Sequence, residues 1–267
     1  VTSNPFSEDA QGANMEFKTF KTNNISIRAA IMGSGPLVIL VHGWPELWYS
    51  WRHQIEPIAS AGYKVIAIDV RGYGGSDKPH PVESYSMQEM MDDIIGIIDA
   101  CNEEKAILIG HDWGAPIVWN TAALNDSRIS AVAGLSVPYR SRLDVPLIEA
   151  WDKMYKDKFF YQVYFQKEGV AEEEFEQDIR LSLRKIYFSI SGDAPSLDSW
   201  INRSSTTRML EEFIDPINFP NWLTEDDLDY FVENFTDSGF RGPLNRYRNS
   251  EKDFYDLPLM GVARIKQ

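Results

Sequence analysis

One short stretch, Gly110-His-Asp-Trp-Gly114, constrains the fold of this chain more than any other. It lies between an apolar run, AILIG at 106–110, and a second apolar stretch at 114–124 whose pattern predicts a helix. Glycines at a strand end and a helix start permit a tight, strained turn and a close approach of strand to helix. Such a turn pushes the middle side chain, Asp112, out at the carboxyl end of the sheet, where the start of the next helix favours an anion. Asp is also a good helix N-cap, and an isolated stretch of this kind would be read that way. Here it has company.

The first half of the chain alternates short apolar runs with helical patterns. Strands are expected at 25–32, 37–42 (LVILVH), 64–69 (KVIAID), 106–110 and 129–135, and helices at 46–61, 86–101 and 114–124. Ser86-Met-Gln-Glu89 is a capping-box start for the second of those helices. This alternation predicts an α/β protein with a mostly parallel sheet covered on both faces. From Pro138 to about Asp256 the strand runs stop. Aromatic and charged helical segments at 149–165, 172–189 and 225–235 replace them, so a helical insertion is expected. Residues 262–267 read as the approach to another strand. The cluster RGYGGSD at 71–77 lacks the G-x-G-x-x-G spacing of a phosphate cradle and is read as a turn.

His42-Gly-Trp-Pro-Glu46 directly follows the LVILVH run. A loop in that place can supply one backbone donor to an oxyanion, and the residue after the elbow nucleophile supplies the other. That assigns the hole to the N–H groups of Trp44 and Trp113, and sets Trp44, Pro45 and Trp113 against the substrate. Composition narrows the partners. Lys and Arg total 26 against 40 Asp and Glu, a net charge of -14, which excludes nucleic acid and anionic membranes and suits a neutral substrate. No apolar run reaches the roughly 18 residues of a membrane span, so none is expected. The first residues lack the basic-then-apolar order of a leader, so cytoplasm is the expected location. Cys101 is the single cysteine, expected to be half-buried, which excludes a disulfide framework. No metal or organic cofactor is expected.

With these pieces in place, HGWPE, WYSWRHQI at 48–55, AGYKVIAIDVRGYGGSDKP at 61–79 and GHDWG resemble the soluble epoxide hydrolases of the α/β-hydrolase fold. Two later segments, YQVYFQKEGVA at 161–171 and GFRGPLNRYRN at 239–249, resemble the cap segments that carry that family's paired tyrosines. The resemblance runs from about Glu16 to Gln267. It implies an α/β-hydrolase core at 1–137, a helical cap at 138–256 and a return to the core at 257–267. It further implies that Asp112 opens a small apolar epoxide to form a covalent ester, with Tyr161 and Tyr247 hydrogen-bonding or protonating the ring oxygen, on the way to a vicinal diol. With 12 tyrosines in the chain, any one is structural by default, and Tyr164 and Tyr255 are expected to be so.

Hydrolysis of the ester needs a histidine base held by a carboxylate. The order nucleophile, acid, histidine puts both beyond Gln267. Of the four histidines, His42 and His111 belong to the loop and the elbow, His53 to a surface helix and His80 to a Pro-flanked loop. Asp144, the carboxylate nearest the end of the 129–135 strand, is expected to lie too far from it. The chain is therefore expected to be the larger part of a longer enzyme and to stop at the covalent intermediate. Its 129–135 strand would then be an apolar edge, making it poorly soluble or molten. Two other readings share the same motifs. A haloalkane dehalogenase also uses an elbow Asp under a cap, with a ring N–H such as that of Trp113 for the halide. A non-catalytic binder would keep the apolar cleft and lack the base.

Overall fold

Five consecutive apolar residues, Leu37–Val41 (β3), are all buried and form the middle of a six-stranded sheet. In the computed structural model, which describes residues 14–195 and 202–267, the strand order is β1-β2-β4-β3-β5-β6. Here β1 is Glu16–Thr22, β2 Ile25–Met32, β4 Lys64–Ile68, β5 Ala106–His111 and β6 Ile129–Leu135. Strands β4, β3, β5 and β6 run parallel, while β1 and β2 pair antiparallel with each other and β2 with β4. A parallel strand covered on both faces must be apolar throughout, which is why β3 and β4 show no alternation.

Helices α1 (Arg52–Ser60), α2 (Met87–Ala100) and α3 (Gly114–Leu124) cover the sheet. Helix α2 starts where the capping box predicts, with the Ser86 hydroxyl accepting from Glu89 N–H at 3.4 Å. The first helix begins later than the pattern at 46–61 suggests. Trp48–Trp51 form a 3-10 turn first, because Asp69 accepts from Trp48 N–H at 3.0 Å and fixes that segment against the end of β4. Strand β1 has no expected counterpart: five of its seven residues lie in solvent-facing or shallow positions, so its polar sequence hides it.

Beyond Pro138 the regular structure of the described residues is helical apart from one isolated bridge, Lys158 to Ser204. Two expected helices are each broken in two. The 149–165 pattern becomes α4 (Leu147–Met154) and α5 (Tyr161–Tyr164), and the 172–189 pattern becomes α6 (Val170–Glu176) and α7 (Ile179–Ser189). The second break has a visible cause: the Asp178 carboxylate accepts from Leu181 N–H at 2.9 Å and caps a new helix. Helix α8 (Glu225–Ser238) follows, opened by a reciprocal cap between Thr224 and Asp227, and then α9 (Arg241–Asn245) and α10 (Ser250–Asp256).

Residues 257–267, of which 262–267 read as the approach to another strand, contain turns. They fold back on 139–142, where Tyr139 donates to Ala263 O at 2.7 Å and Arg142 N–H to Gly261 O at 3.0 Å. Strand β6 lies at the sheet edge among the described strands, with Leu135 44% exposed. Cys101 is half-buried, as its sequence position suggests.

Candidate active site

The elbow is built as its glycines demand. Asp112 sits between β5 and α3 with φ of +50°, a left-handed conformation that a non-glycine residue adopts only when its surroundings enforce it. Gly114 is part of that enforcement, since a Cβ there would stand 2.0 Å from Val41 O on the neighbouring strand. On the other side of Asp112 lies the HGWPE loop. A Cβ on Gly43 would reach to 2.3 Å of the Asp112 Cβ, so only glycine lets the loop close over the elbow.

That closeness brings Trp44 N–H to 2.7 Å from Asp112 Oδ1. Burial raises the Asp112 pKa to about 6, while the backbone N–H groups of Trp44 and Trp113 pull it down. Both expected oxyanion donors thus bear on the same carboxyl group. The loop between them is held by His42 and His111, which belong to the loop and the elbow, and by Glu46, whose part in it is visible only in the fold. His42 is buried and neutral: burial lowers its pKa, its Nε2 accepts from Val70 N–H at 3.0 Å, and its Nδ1 lies 2.8 Å from Gly43 O. Glu46 accepts from Gly43 N–H at 2.7 Å and meets His111 Nδ1 at 3.1 Å, tying loop to elbow. The Glu46 hydrogen bond raises the His111 pKa, with burial opposing it.

Above Asp112 opens a cavity of about 240 Å³ lined by Asp112, Trp113, Tyr161, Gln162 and Tyr247 among others. The two tyrosine rings meet edge-on, centroids 5.9 Å apart. Tyr247 also stands edge-on to Trp113 at 5.2 Å and to Trp44 at 6.1 Å, so it packs against both residues of the expected hole. Burial raises both phenols above the ordinary range, Tyr247 well above it, and the Asp112 charge adds to the effect in each. Of the three residues expected against the substrate, Trp113 lines this cavity, whereas Trp44 and Pro45 are buried and do not; the Pro45 carbonyl accepts from Tyr187 Oη at 2.6 Å.

Hydrogen bonds separate these tyrosines from their neighbours. Tyr164 donates to Glu174 at 2.7 Å, Tyr49 to Asp227 at 2.9 Å and Tyr139 to a carbonyl, so their protons are committed to the protein. Tyr161 instead accepts, from Gln162 Nε2 at 2.9 Å. Tyr255 is 66% exposed and far from any such role. The pair is held at its spacing by Gln166, whose Nε2 donates to Gln162 O at 2.8 Å and to Tyr247 O at 3.1 Å. Gln162, Gln166 and Glu46 sit in motifs quoted from the sequence, yet only the fold reveals whom they touch.

Arg246 supports the wall beside Tyr247. Its guanidinium lies over the Trp113 ring at 4.8 Å and pairs with buried Asp253, which accepts from Met87 N–H at 2.7 Å at the start of α2. Among the described residues no group of three His, Cys, Asp or Glu side chains could hold a metal ion, and no helix is long and apolar enough to cross a membrane.

The α/β-hydrolase fold family matches residues 36–249. Epoxide hydrolase A of Mycobacterium tuberculosis is 41% identical over 243 residues, 87% of this chain and 73% of that protein. Epoxide hydrolase 3 of Siraitia grosvenorii is 40% identical over 241 residues, 88% and 72% of the two chains. The crystal structure of epoxide hydrolase A from Mycobacterium thermoresistibile superposes with a TM-score of 0.90 at 39% identity, covering 94% of this chain and 80% of that one.

Proposed function

This chain belongs to the epoxide hydrolase family of the α/β-hydrolase fold, and on that premise we propose that it opens small apolar epoxides through an ester on Asp112, on the way to vicinal diols. One observation carries the reading. A carboxylate held at Oδ1 by a backbone N–H faces the cavity beneath two phenols, while Tyr139 in the same lining and Tyr164 beside it have their protons committed elsewhere.

The steps follow from charge. Asp112 is ionised above about pH 6, so its attack on a ring carbon needs no base. As the C–O bond breaks, the ring oxygen takes up negative charge and receives a hydrogen bond or proton from Tyr161 and Tyr247. The product is a hydroxyalkyl ester at Asp112. When water attacks the carbonyl of that ester, the oxyanion forms where the Trp44 and Trp113 N–H groups already point. The base for that attack is not assigned to the histidines at the site: both nitrogens of His42 are engaged, and His111 turns Nδ1 to Glu46. The ester-forming half-reaction, and the oxyanion hole of the second half, are the parts assigned to these 267 residues.

A haloalkane dehalogenase would need the Trp113 ring N–H free for halide, whereas that indole stands edge-on to Tyr247 and acts on its phenol. A panel of aryl epoxides and matching chloroalkanes separates the two. Ester formation on Asp112 from the epoxides, without halide release from the chloroalkanes, supports the reading. The reverse pattern overturns it, and reversible binding without any adduct leaves the non-catalytic binder.

A further inference from the structure

Gln162 stands beside Tyr161 in the first turn of α5 and lines the same cavity as Asp112. Its Nε2 donates to Tyr161 Oη at 2.9 Å. A phenol has one proton and two acceptor positions, so an N–H donor on the oxygen fills an acceptor site and leaves the proton free. The neighbouring Tyr164 shows the opposite wiring, since its proton goes to the Glu174 carboxylate. Gln162 is itself fixed from behind, because its backbone carbonyl accepts from the Gln166 side chain at 2.8 Å.

We propose that Gln162 is a positioning residue of the ring-opening step, donating to Tyr161 Oη so that the phenol's proton is directed to the epoxide oxygen and the phenolate left behind is already held by a donor. This rests on the epoxide-opening reading above. The balance is simple. Asp112 forms a C–O bond to the substrate and loses its charge, the ring C–O bond breaks, and the proton of Tyr161 passes to the ring oxygen. The negative charge ends on Tyr161 Oη, where the Gln162 N–H shortens its hold as charge develops. Tyr247 takes its donor from a ring rather than an amide: burial raises its phenol, and the hydrogen bond from the Trp113 indole lowers it. Its ring is packed edge-on against Trp113, Tyr161 and Phe165, and it remains a hydrogen-bond donor to the same oxygen.

The direction of the pKa effects agrees. Burial raises the Tyr161 phenol, the Gln162 hydrogen bond lowers it, Asp112 raises it and Arg140 lowers it. Those groups, with Tyr155 on the segment after α4 and the Tyr247 ring, are the titratable and charged neighbours that face it.

The test uses near-isosteric changes, Gln162→Met and Gln162→Glu, in the full chain. The rate of ester formation on Asp112 is read by acid quench and mass spectrometry under single-turnover conditions, from pH 5 to 9. Q162M is expected to slow ester formation roughly tenfold, the usual worth of a hydrogen bond to a developing charge. Q162E is expected to be slower still at pH 7.5, because a carboxylate takes the phenol's proton as Glu174 does from Tyr164. Its rate relative to the unsubstituted chain is expected to recover as pH falls and the new carboxyl protonates. In a Tyr161→Phe background, Q162M is expected to have no further effect, which a merely structural role would not produce. Equal rates for Q162M and the unsubstituted chain, or Q162E faster than Q162M at pH 7.5, overturn the inference alone. Absence of any ester on Asp112 in the unsubstituted chain overturns both it and the reading beneath it.

Discussion

At Asp112 the strained φ, the buried position and the raised pKa describe one carboxyl group held in place at a cost to the fold. The carboxyl binds its proton more tightly in the native state than in the unfolded chain, where Asp titrates near 3.9. The penalty is therefore absent below about pH 4, grows as pH rises through about 6, and is complete at neutral pH. Asp112→Asn is expected to abolish ester formation while raising stability at pH 7 by up to about 2 kcal/mol, with little gain at pH 4. Thermal melts of the two proteins at both pH values check this, and equal melts at pH 7 contradict it. By the same protonation, ester formation in the unsubstituted chain is expected to fall off on the acid side with a midpoint near 6. Tyrosines give a second contrast at this scale. Tyr161→Phe and Tyr247→Phe together should slow ring opening by about 10² or more. Tyr164→Phe should leave that rate unchanged and cost about 1 kcal/mol of stability through the lost bond to Glu174.

At the scale of elements, the parts legible in the sequence are those whose physics is local. The β3 and β4 runs, the capping box of α2 and the glycines of the elbow each announce a backbone state within a few residues. Gly114→Ala tests that the elbow is a packing requirement: a Cβ 2.0 Å from Val41 O meets backbone that cannot yield, so a loss of about 3 kcal/mol in chemical denaturation is expected. A loss below 1 kcal/mol would mean that α3 can shift away from β3. The parts that the sequence conceals depend on distant partners. Strand β1 is recognisable only once paired with β2, and the breaks between α4 and α5 and between α6 and α7 fall in continuous charged, aromatic patterns. Glu46 with His111, 65 residues apart, and Gln166 with Tyr247, 81 apart, build the site through contacts that no local spacing encodes.

On the scale of the whole molecule, the apolar core is continuous from the sheet through Trp44 into Phe165, Phe175 and Phe240 of the helical segment after Pro138. The β6 edge of the sheet is less covered. Residues 130, 131, 133 and 135 of β6 are exposed, and its outer edge carries no partner strand among the described residues. Such an edge invites pairing between chains. Leu135→Lys is therefore expected to reduce self-association of this chain in size-exclusion chromatography without altering ester formation; an unchanged elution profile of an associating sample would place the contact elsewhere.

The central claim is the ester on Asp112, and one measurement meets it directly. The chain is mixed with a simple aryl epoxide, quenched in acid within the first turnover, and its intact mass and peptide map recorded beside Asp112→Asn. A single adduct of the epoxide's mass, confined to the peptide bearing Asp112 and missing from the Asn variant, is the predicted result. A folded chain that stays unmodified, or carries the adduct at another residue, would contradict the account.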